Sequence, residues 1–138
     1  MKVLFVCTGN TCRSPMAEGI FNKLSEGGFS RGLMATGEKA SENAVKAMAK
    51  MGIDISHHVS KQLTIDDVVS ADLVLTMTKV HKGAILNVTP QFENKVFAIG
   101  EYDQGDDVAD PYGGNEALYD ACAQELYNYI EKIVEMLK

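Results

Sequence analysis

The feature that most constrains the fold is an alternation of short apolar runs with segments whose apolar residues recur at helical spacing. The first run, residues 3–6, is apolar on both faces and predicts a buried parallel strand. A loop follows, and Ser14 and Pro15 then predict the N-cap and the first residue of a helix that ends at Gly27 and Gly28. A strand, a loop and a helix in this order form the opening unit of an α/β fold.

The rest of the chain continues this alternation. Further strands are predicted at residues 29–35, 71–76 and 96–99. Helices are predicted after the caps Ser41 and Thr64, over residues 79–87, and from residue 115 towards the C-terminus. We therefore expect a doubly wound α/β sandwich of three layers, with a mainly parallel four-stranded sheet and helices on both faces, in one domain of residues 1–138.

Charge and cysteine content exclude several classes of protein. The net charge of −6 and a pI near 5.0 argue against a nucleic-acid ligand, because phosphate backbones are bound by basic faces. No apolar run approaches the roughly 20 residues of a membrane-spanning helix, so we expect no membrane partner and a cytoplasmic protein. Three cysteines do not make a disulfide framework, which favours reduced thiols that are available for chemistry.

The loop between the first strand and the first helix has the composition of an anion-binding cradle. Its sequence is Cys7-Thr8-Gly9-Asn10-Thr11-Cys12-Arg13-Ser14. A cradle needs inward-pointing backbone N–H groups, a glycine that lets the chain curl and the positive end of a helix, and this loop provides all three. Arg13 adds a planar fork of donors for two phosphoryl oxygens. The same positive field stabilises a thiolate, which predicts that Cys7 is a nucleophile.

Other uses of these thiols fit the sequence less well. A thioredoxin-like centre has two residues between its cysteines, a spacing that Cys7 and Cys12 do not have. A zinc site needs more ligands at recognised spacings, and since His57 and His58 are adjacent we predict no metal site. Cys122 lies on an apolar helical stripe, which predicts packing in the core.

Attack by a thiolate on a phosphoryl group requires a proton donor for the leaving group. The chain has 19 acidic residues, so the choice depends on their surroundings. Asp110 is favoured because Asp110-Pro111-Tyr112 joins a carboxylate to a rigid proline and an aromatic ring in a loop after a strand, at the sheet edge where Cys7 is expected. The alternative is an aspartate that only begins a turn before a proline.

Together, the two loops resemble those of the low-molecular-weight protein tyrosine phosphatases. The resemblance rests on residues 6–18 and on residues 110–112, and it extends over essentially the whole chain. Similar segments in the middle of the chain are residues 52–54, His58, residues 62–63 and residues 71–77. The resemblance implies Cys7 as nucleophile, Arg13 as phosphate clamp and Asp110 as general acid. Because these groups complete the chemistry, we expect no metal and no organic cofactor.

The resemblance also implies supporting roles around the cradle. The phosphate-binding loop would comprise Thr8, Gly9, Asn10, Thr11, Cys12 and Ser14. Asn10 would hold the loop in a strained curl, Ser14 would hydrogen-bond the thiolate, and His58 would support Asn10 from behind. Family members have a Ser-Ala-Gly stretch after their second strand, where this chain has Ala35-Thr36-Gly37. We therefore expect one supporting hydroxyl to be missing or replaced.

Two alternative functions share parts of this pattern. Thiol-dependent arsenate reductases resemble this chain in cradle and fold, but they need two further cysteines in the middle of the chain, and there is none between Cys12 and Cys122. A non-catalytic phosphoprotein-binding module would be expected to lose the nucleophile or the acid, and this chain keeps both. In a phosphatase of this kind, Cys12 would form a reversible disulfide with Cys7 under oxidation.

Two positions predict the substrate. Thr11 stands where tyrosine-specific members carry a branched apolar residue, and it is similar to a bacterial branch that acts on phosphoarginine in proteins. Tyr112 is followed by Gly113-Gly114, whereas the tyrosine branch has two aromatic residues after Asp-Pro. We expect a phosphorylated protein as the partner, with phosphoarginine as the group removed and phosphotyrosine as the alternative if Thr11 is a neutral replacement. A monomer is the default expectation.

Overall fold

The computed structural model describes residues 1–103 and 105–138 and confirms the alternation of strands and helices. The strands are β1 (Val3–Cys7), β2 (Gly28–Gly32), β3 (Leu73–Thr76) and β4 (Val96–Ala98). The helices are α1 (Arg13–Leu24), α2 (Glu42–Lys50), α3 (Ile65–Ser70), α4 (Lys79–Val88) and α5 (Glu116–Leu137). Two short 3₁₀ helices flank β4, at Pro90–Phe92 and Ile99–Tyr102.

The four strands form one sheet in the order β2-β1-β3-β4, and each neighbouring pair is parallel. The expected sheet was mainly parallel, and the structure makes it wholly parallel. The chain leaves β1 towards β2 on one side and returns to β3 on the other side. The carboxyl end of β1 is therefore the topological switch point, where α/β sheets bind their ligands.

Helices cover both faces of the sheet, which confirms the three-layer sandwich. Alternate side chains of β1 point to opposite faces, so Phe5 packs in a cluster with α1, α2 and α5, and Leu4 packs in a second cluster with α3 and α4. Every residue of β1 is buried. Cys122 lies in the first cluster at 6% exposure, which confirms its predicted core position.

Several predicted helix starts are confirmed by cap geometry. The Ser41 hydroxyl accepts from the Ala44 N–H at the start of α2, and Thr64 and Asp67 form a reciprocal capping box at the start of α3. In the described ranges, no helix has the length and apolar content required to cross a membrane.

Two predicted boundaries next to the cradle are wrong. Helix α1 begins at Arg13 with Cys12 at the N-cap position, so Ser14 lies inside the first turn and does not cap the helix. The Ser14 hydroxyl instead faces the Cys7 sulfur, as described below. The predicted strand at residues 29–35 is Gly28–Gly32, because the chain turns away once Gly32 has paired with Cys7.

Candidate active site

Cys7 is the last residue of β1, and its sulfur lies at the floor of the loop that leads into α1. The side chain is only 3% exposed. Its Sγ lies 2.8 Å from Ser14 Oγ and accepts from the Asn10 N–H at 3.3 Å. Polar donors on two sides, together with the N-terminus of α1, stabilise negative charge on the sulfur.

Asn10 fixes the curl of the loop from inside. It is the one non-glycine residue of the described chain with a positive φ, at 59°. Its Oδ1 accepts from the Lys61 N–H at 3.0 Å, and its carbonyl oxygen lies 2.8 Å from His58 Nε2. The structure therefore places His58 against the backbone of Asn10, at the position that the family resemblance implied. Gly32 permits this fold, because a Cβ there would lie 2.9 Å from the Asn10 Cβ.

The Asn10 amide also sets the direction of a chain of hydrogen bonds that ends at the nucleophile. Since its oxygen is used by Lys61, its Nδ2 donates to Ser14 Oγ at 2.8 Å and to Ser30 Oγ at 3.0 Å. Ser30 passes its own hydrogen to Glu18 Oε1 at 2.9 Å. The Ser14 hydroxyl receives one hydrogen from Asn10 and is left with its own hydrogen to donate to the sulfur.

One supporting hydroxyl was expected to be missing or replaced, and the structure shows a hydroxyl in that network at Ser30. Ser30, in the middle of β2 and 1% exposed, supplies the second hydroxyl that supports Asn10. Residues 35–37 lie beyond the end of the strand. The predicted strand ended too late, so residues 35–37 in the following turn were compared with the family stretch instead of Ser30 in β2.

Arg13 connects the cradle to the loop that carries Asp110. Its guanidinium is almost completely buried, and one nitrogen donates to the Val108 carbonyl at 3.0 Å. The other terminal nitrogen lies 3.6 Å from Asp110 Oδ2. The structure therefore brings Arg13 and Asp110, which are 97 positions apart in the sequence, to the same cleft.

The loop with Asp110 is anchored by Val108 and Asp107 rather than by the Asp110 carboxylate itself. The Val108 N–H donates to the Met77 carbonyl at 2.9 Å, and the Asp107 carboxylate accepts from the Lys79 N–H at 2.9 Å. Asp110 accepts from the Tyr112 N–H at 3.0 Å, and half of its side chain is exposed. A carboxyl group in this position is open to a substrate and to water.

These groups border one cleft of about 300 Å³. Its floor and walls are formed by Cys7, Thr8, Gly9, Thr11, Cys12, Arg13, Met34, Thr36, Glu38, Asp110 and Tyr112. Tyr112 and Met34 stand at the mouth, with exposures of 77% and 74%. The predicted specificity residues Thr11 and Tyr112 therefore both line the cleft, and Met34 and Glu38 are lining residues that the sequence interpretation missed.

The other thiols lie close to the cleft in different surroundings. Cys12 Sγ is 3.3 Å from Tyr119 Oη and 3.5 Å from Ser41 Oγ. Burial, and then the hydrogen bond with Cys12, raise the pKa of Tyr119 to about 12, so its hydroxyl stays protonated. Burial likewise raises the pKa of Cys122 to about 12. All three cysteines are unpaired.

A buried histidine that the sequence interpretation did not single out also contacts the cradle. His81, in the first turn of α4, is 5% exposed, and its Nε2 lies 2.9 Å from Thr8 Oγ1. Burial, and then the positive charge of Arg13, lower the pKa of His81 from 6.5 to about 4. The available signal was its place shortly after β3, at the same sheet edge as Cys7. Within residues 1–103 and 105–138, no group of three or more His, Cys, Asp or Glu side chains is arranged to hold a metal ion.

Comparisons with known proteins agree with this architecture. A family model described as low molecular weight phosphotyrosine protein phosphatase matches residues 2–138. A protein-arginine-phosphatase of Bacillus subtilis is 40% identical over 147 residues, which cover 100% of this chain and 97% of that protein. The low molecular weight protein-tyrosine-phosphatase PtpB of Staphylococcus aureus is 36% identical, with 99% of each chain covered. A solved low molecular weight protein tyrosine phosphatase from T. tengcongensis is 45% identical, with a TM-score of 0.93 and 99% of each chain covered.

Proposed function

The chain belongs to the low molecular weight phosphotyrosine protein phosphatase family, and from this premise we propose that it removes phosphoryl groups from arginine side chains of proteins. In this proposal Cys7 is the nucleophile, Arg13 clamps the phosphoryl group and Asp110 is the general acid and base. The observation that carries the assignment is the Cys7 sulfur, which lies between the Ser14 hydroxyl and the Asn10 N–H at the floor of the cleft.

The first step transfers the phosphoryl group to the enzyme. The cradle N–H groups and Arg13 hold the phosphoryl oxygens, and the Cys7 thiolate attacks phosphorus. An S–P bond forms as the P–N bond to the substrate breaks. Asp110 gives its proton to the leaving nitrogen, so the arginine side chain departs with its full complement of hydrogens.

The second step returns the enzyme to its starting state. Asp110, now a carboxylate, takes a proton from water, and the water oxygen attacks phosphorus. The S–P bond breaks, inorganic phosphate leaves, and the thiolate of Cys7 is restored. The exposed face of the Asp110 carboxyl gives that water room to approach.

Thr11 and Glu38 support phosphoarginine as the substrate. Thr11 lines the cleft between nucleophile and clamp, where its hydroxyl can accept a hydrogen bond from a guanidinium N–H. The walls also include the side chain of Glu38. A phosphorylated guanidinium carries positive charge beside its phosphate, and the Glu38 carboxylate favours it over a phenyl ring.

Phosphotyrosine is the alternative substrate, and one feature favours it. The ring of Tyr112 is 77% exposed at the cleft mouth, where it could stack against a phenyl ring. The Staphylococcus aureus and T. tengcongensis relatives are both described as tyrosine phosphatases.

The test is kcat/KM for a phosphoarginine peptide and for a phosphotyrosine peptide of the same sequence, measured side by side at neutral pH. We expect a strong preference for phosphoarginine, and a preference for phosphotyrosine would overturn the substrate assignment. Cys7→Ser should abolish phosphate release from both peptides. Turnover by Cys7→Ser would overturn the assignment of the nucleophile.

A further inference from the structure

His81 occupies a position that packing alone does not explain. It is almost fully buried and lies behind Thr8, the residue that follows the nucleophile. Its backbone N–H is fixed by the Thr78 hydroxyl at 3.1 Å, which caps α4. The backbone of His81 is thus held in the first turn of α4, and its ring extends to Thr8 of the cradle.

The imidazole is neutral at neutral pH and makes one hydrogen bond. Its Nε2 is paired with the Thr8 hydroxyl, and its Nδ1 is buried with no partner in the described part of the chain. A buried polar atom without a partner costs free energy, and an apolar side chain of similar size would avoid that cost. Retaining a histidine here is physically reasonable only if its contact with Thr8 is useful.

The same turn of α4 also holds the loop that carries Asp110. The Lys79 N–H, two residues before His81, donates to the Asp107 carboxylate at 2.9 Å. One helical turn thus contacts the cradle through Thr8 and the acid loop through Asp107. A shift of this turn relative to Thr8 would change the separation between the two halves of the cleft.

We propose that His81 is a positioning residue that ties Thr8 to α4 and so sets the spacing between the Cys7 nucleophile and the Asp110 acid. The inference rests on the proposed roles of Cys7 and Asp110. His81 does not touch the substrate, because Thr8 stands between it and the cleft. Its effect therefore falls on proton donation by Asp110 rather than on phosphate binding.

The experiment uses two aryl phosphates whose leaving groups differ in their need for a proton. Nitrophenolate leaves readily as an anion, whereas phenolate is a stronger base and depends on the general acid. The measured quantity is the ratio of kcat/KM for p-nitrophenyl phosphate to kcat/KM for phenyl phosphate. A loss of folded protein lowers both values equally and leaves this ratio unchanged.

The variants separate the hydrogen bond from the shape of the side chain. His81→Leu removes the hydrogen bond, His81→Gln keeps a polar atom within reach of Thr8, and Thr8→Val removes the hydroxyl alone. We expect His81→Leu and Thr8→Val each to raise the ratio about tenfold, and His81→Gln to keep it within about twofold of the unchanged protein. The exposed His57, changed to Leu, is the matched control and should leave the ratio unchanged.

The double variant Thr8→Val/His81→Leu tests whether the two residues act as one unit. The kcat/KM ratio of the double variant should be no higher than that of either single variant. A ratio raised by the product of the two single increases would overturn the link. An unchanged ratio in His81→Leu would overturn it as well. Asp110→Asn distinguishes this failure from a failure of the proposed function. If Asp110→Asn alters the ratio and His81→Leu does not, only the positioning role falls, whereas no alteration in Asp110→Asn overturns the acid assignment.

Discussion

Protonation of His81 should make the folded state less stable in acid, and His81→Gln should remove that effect. In the folded protein the pKa of His81 is lowered from 6.5 to about 4, first by burial and then by Arg13, while Asp107 and Asp110 oppose the shift. The unfolded chain therefore binds this proton at a higher pH than the folded chain. The contribution of neutral His81 to folding stability is fully present above pH 6.5 and is lost progressively as the pH falls towards 4.

The size of the effect follows from the two pKa values. Full protonation of His81 costs the folded state about 3 kcal/mol, and most of this loss of stability occurs between about pH 7.5 and about pH 4.5. Glutamine does not titrate, so His81→Gln should not lose stability in this way as the pH falls. Other groups titrate alike in both proteins, and the difference between the proteins isolates His81.

The measurement is urea unfolding followed by circular dichroism, on both proteins and at both pH values. The free energy of unfolding of His81→Gln should gain about 2–3 kcal/mol relative to the unchanged protein on going to the lower pH. Equal pH dependence in the two proteins would refute the reasoning, because it would mean that His81 titrates alike in the folded and unfolded states.

Three further changes test the cleft. Thr11→Ile should shift the ratio of kcat/KM for phosphoarginine and phosphotyrosine peptides about tenfold towards phosphotyrosine, and an unchanged ratio would contradict a specificity role for Thr11. Ser30→Ala should cost about 1–3 kcal/mol in urea unfolding, since it leaves an N–H of Asn10 without its partner, whereas Ser25→Ala at an exposed site should cost almost nothing. Asp110→Asn should lower kcat/KM for phenyl phosphate about a hundredfold, and an equal loss in Asp106→Asn, an exposed carboxylate of the same loop, would argue against an individual role for Asp110.

The sequence predicted best where the structural information is local. The cradle is contiguous, and its glycine, arginine and helix start are recognisable without knowledge of the fold. The alternation of strands and helices likewise limits the chain to a parallel sheet with helices on both faces. The helix start at Ser14 was misplaced for a local reason too, because its hydroxyl turns towards Cys7 rather than capping the helix.

The support of the cradle depends on strand register, which the sequence did not predict accurately. Ser30 reaches Asn10 because β2 pairs with β1 in a register that sets Ser30 opposite Phe5. Because the predicted strand ended at residue 35, the contact of Ser30 with Asn10 was not predicted. His81 was missed because a single histidine in a helix carries no signal until α4 is packed behind Thr8.

The sequence by itself determined the chemistry of this protein, since a thiol, an arginine and a helix start within eight residues make an anion site wherever the loop lies. Only the tertiary structure decided how that site is completed. The contacts of Arg13 with Val108, of Asn10 with Lys61 and of Thr8 with His81 join residues that are far apart in the chain. They exist because parallel strands bring the carboxyl ends of β1 and β3 to one edge, and hydrogen bonds across that edge are fixed by register and helix packing.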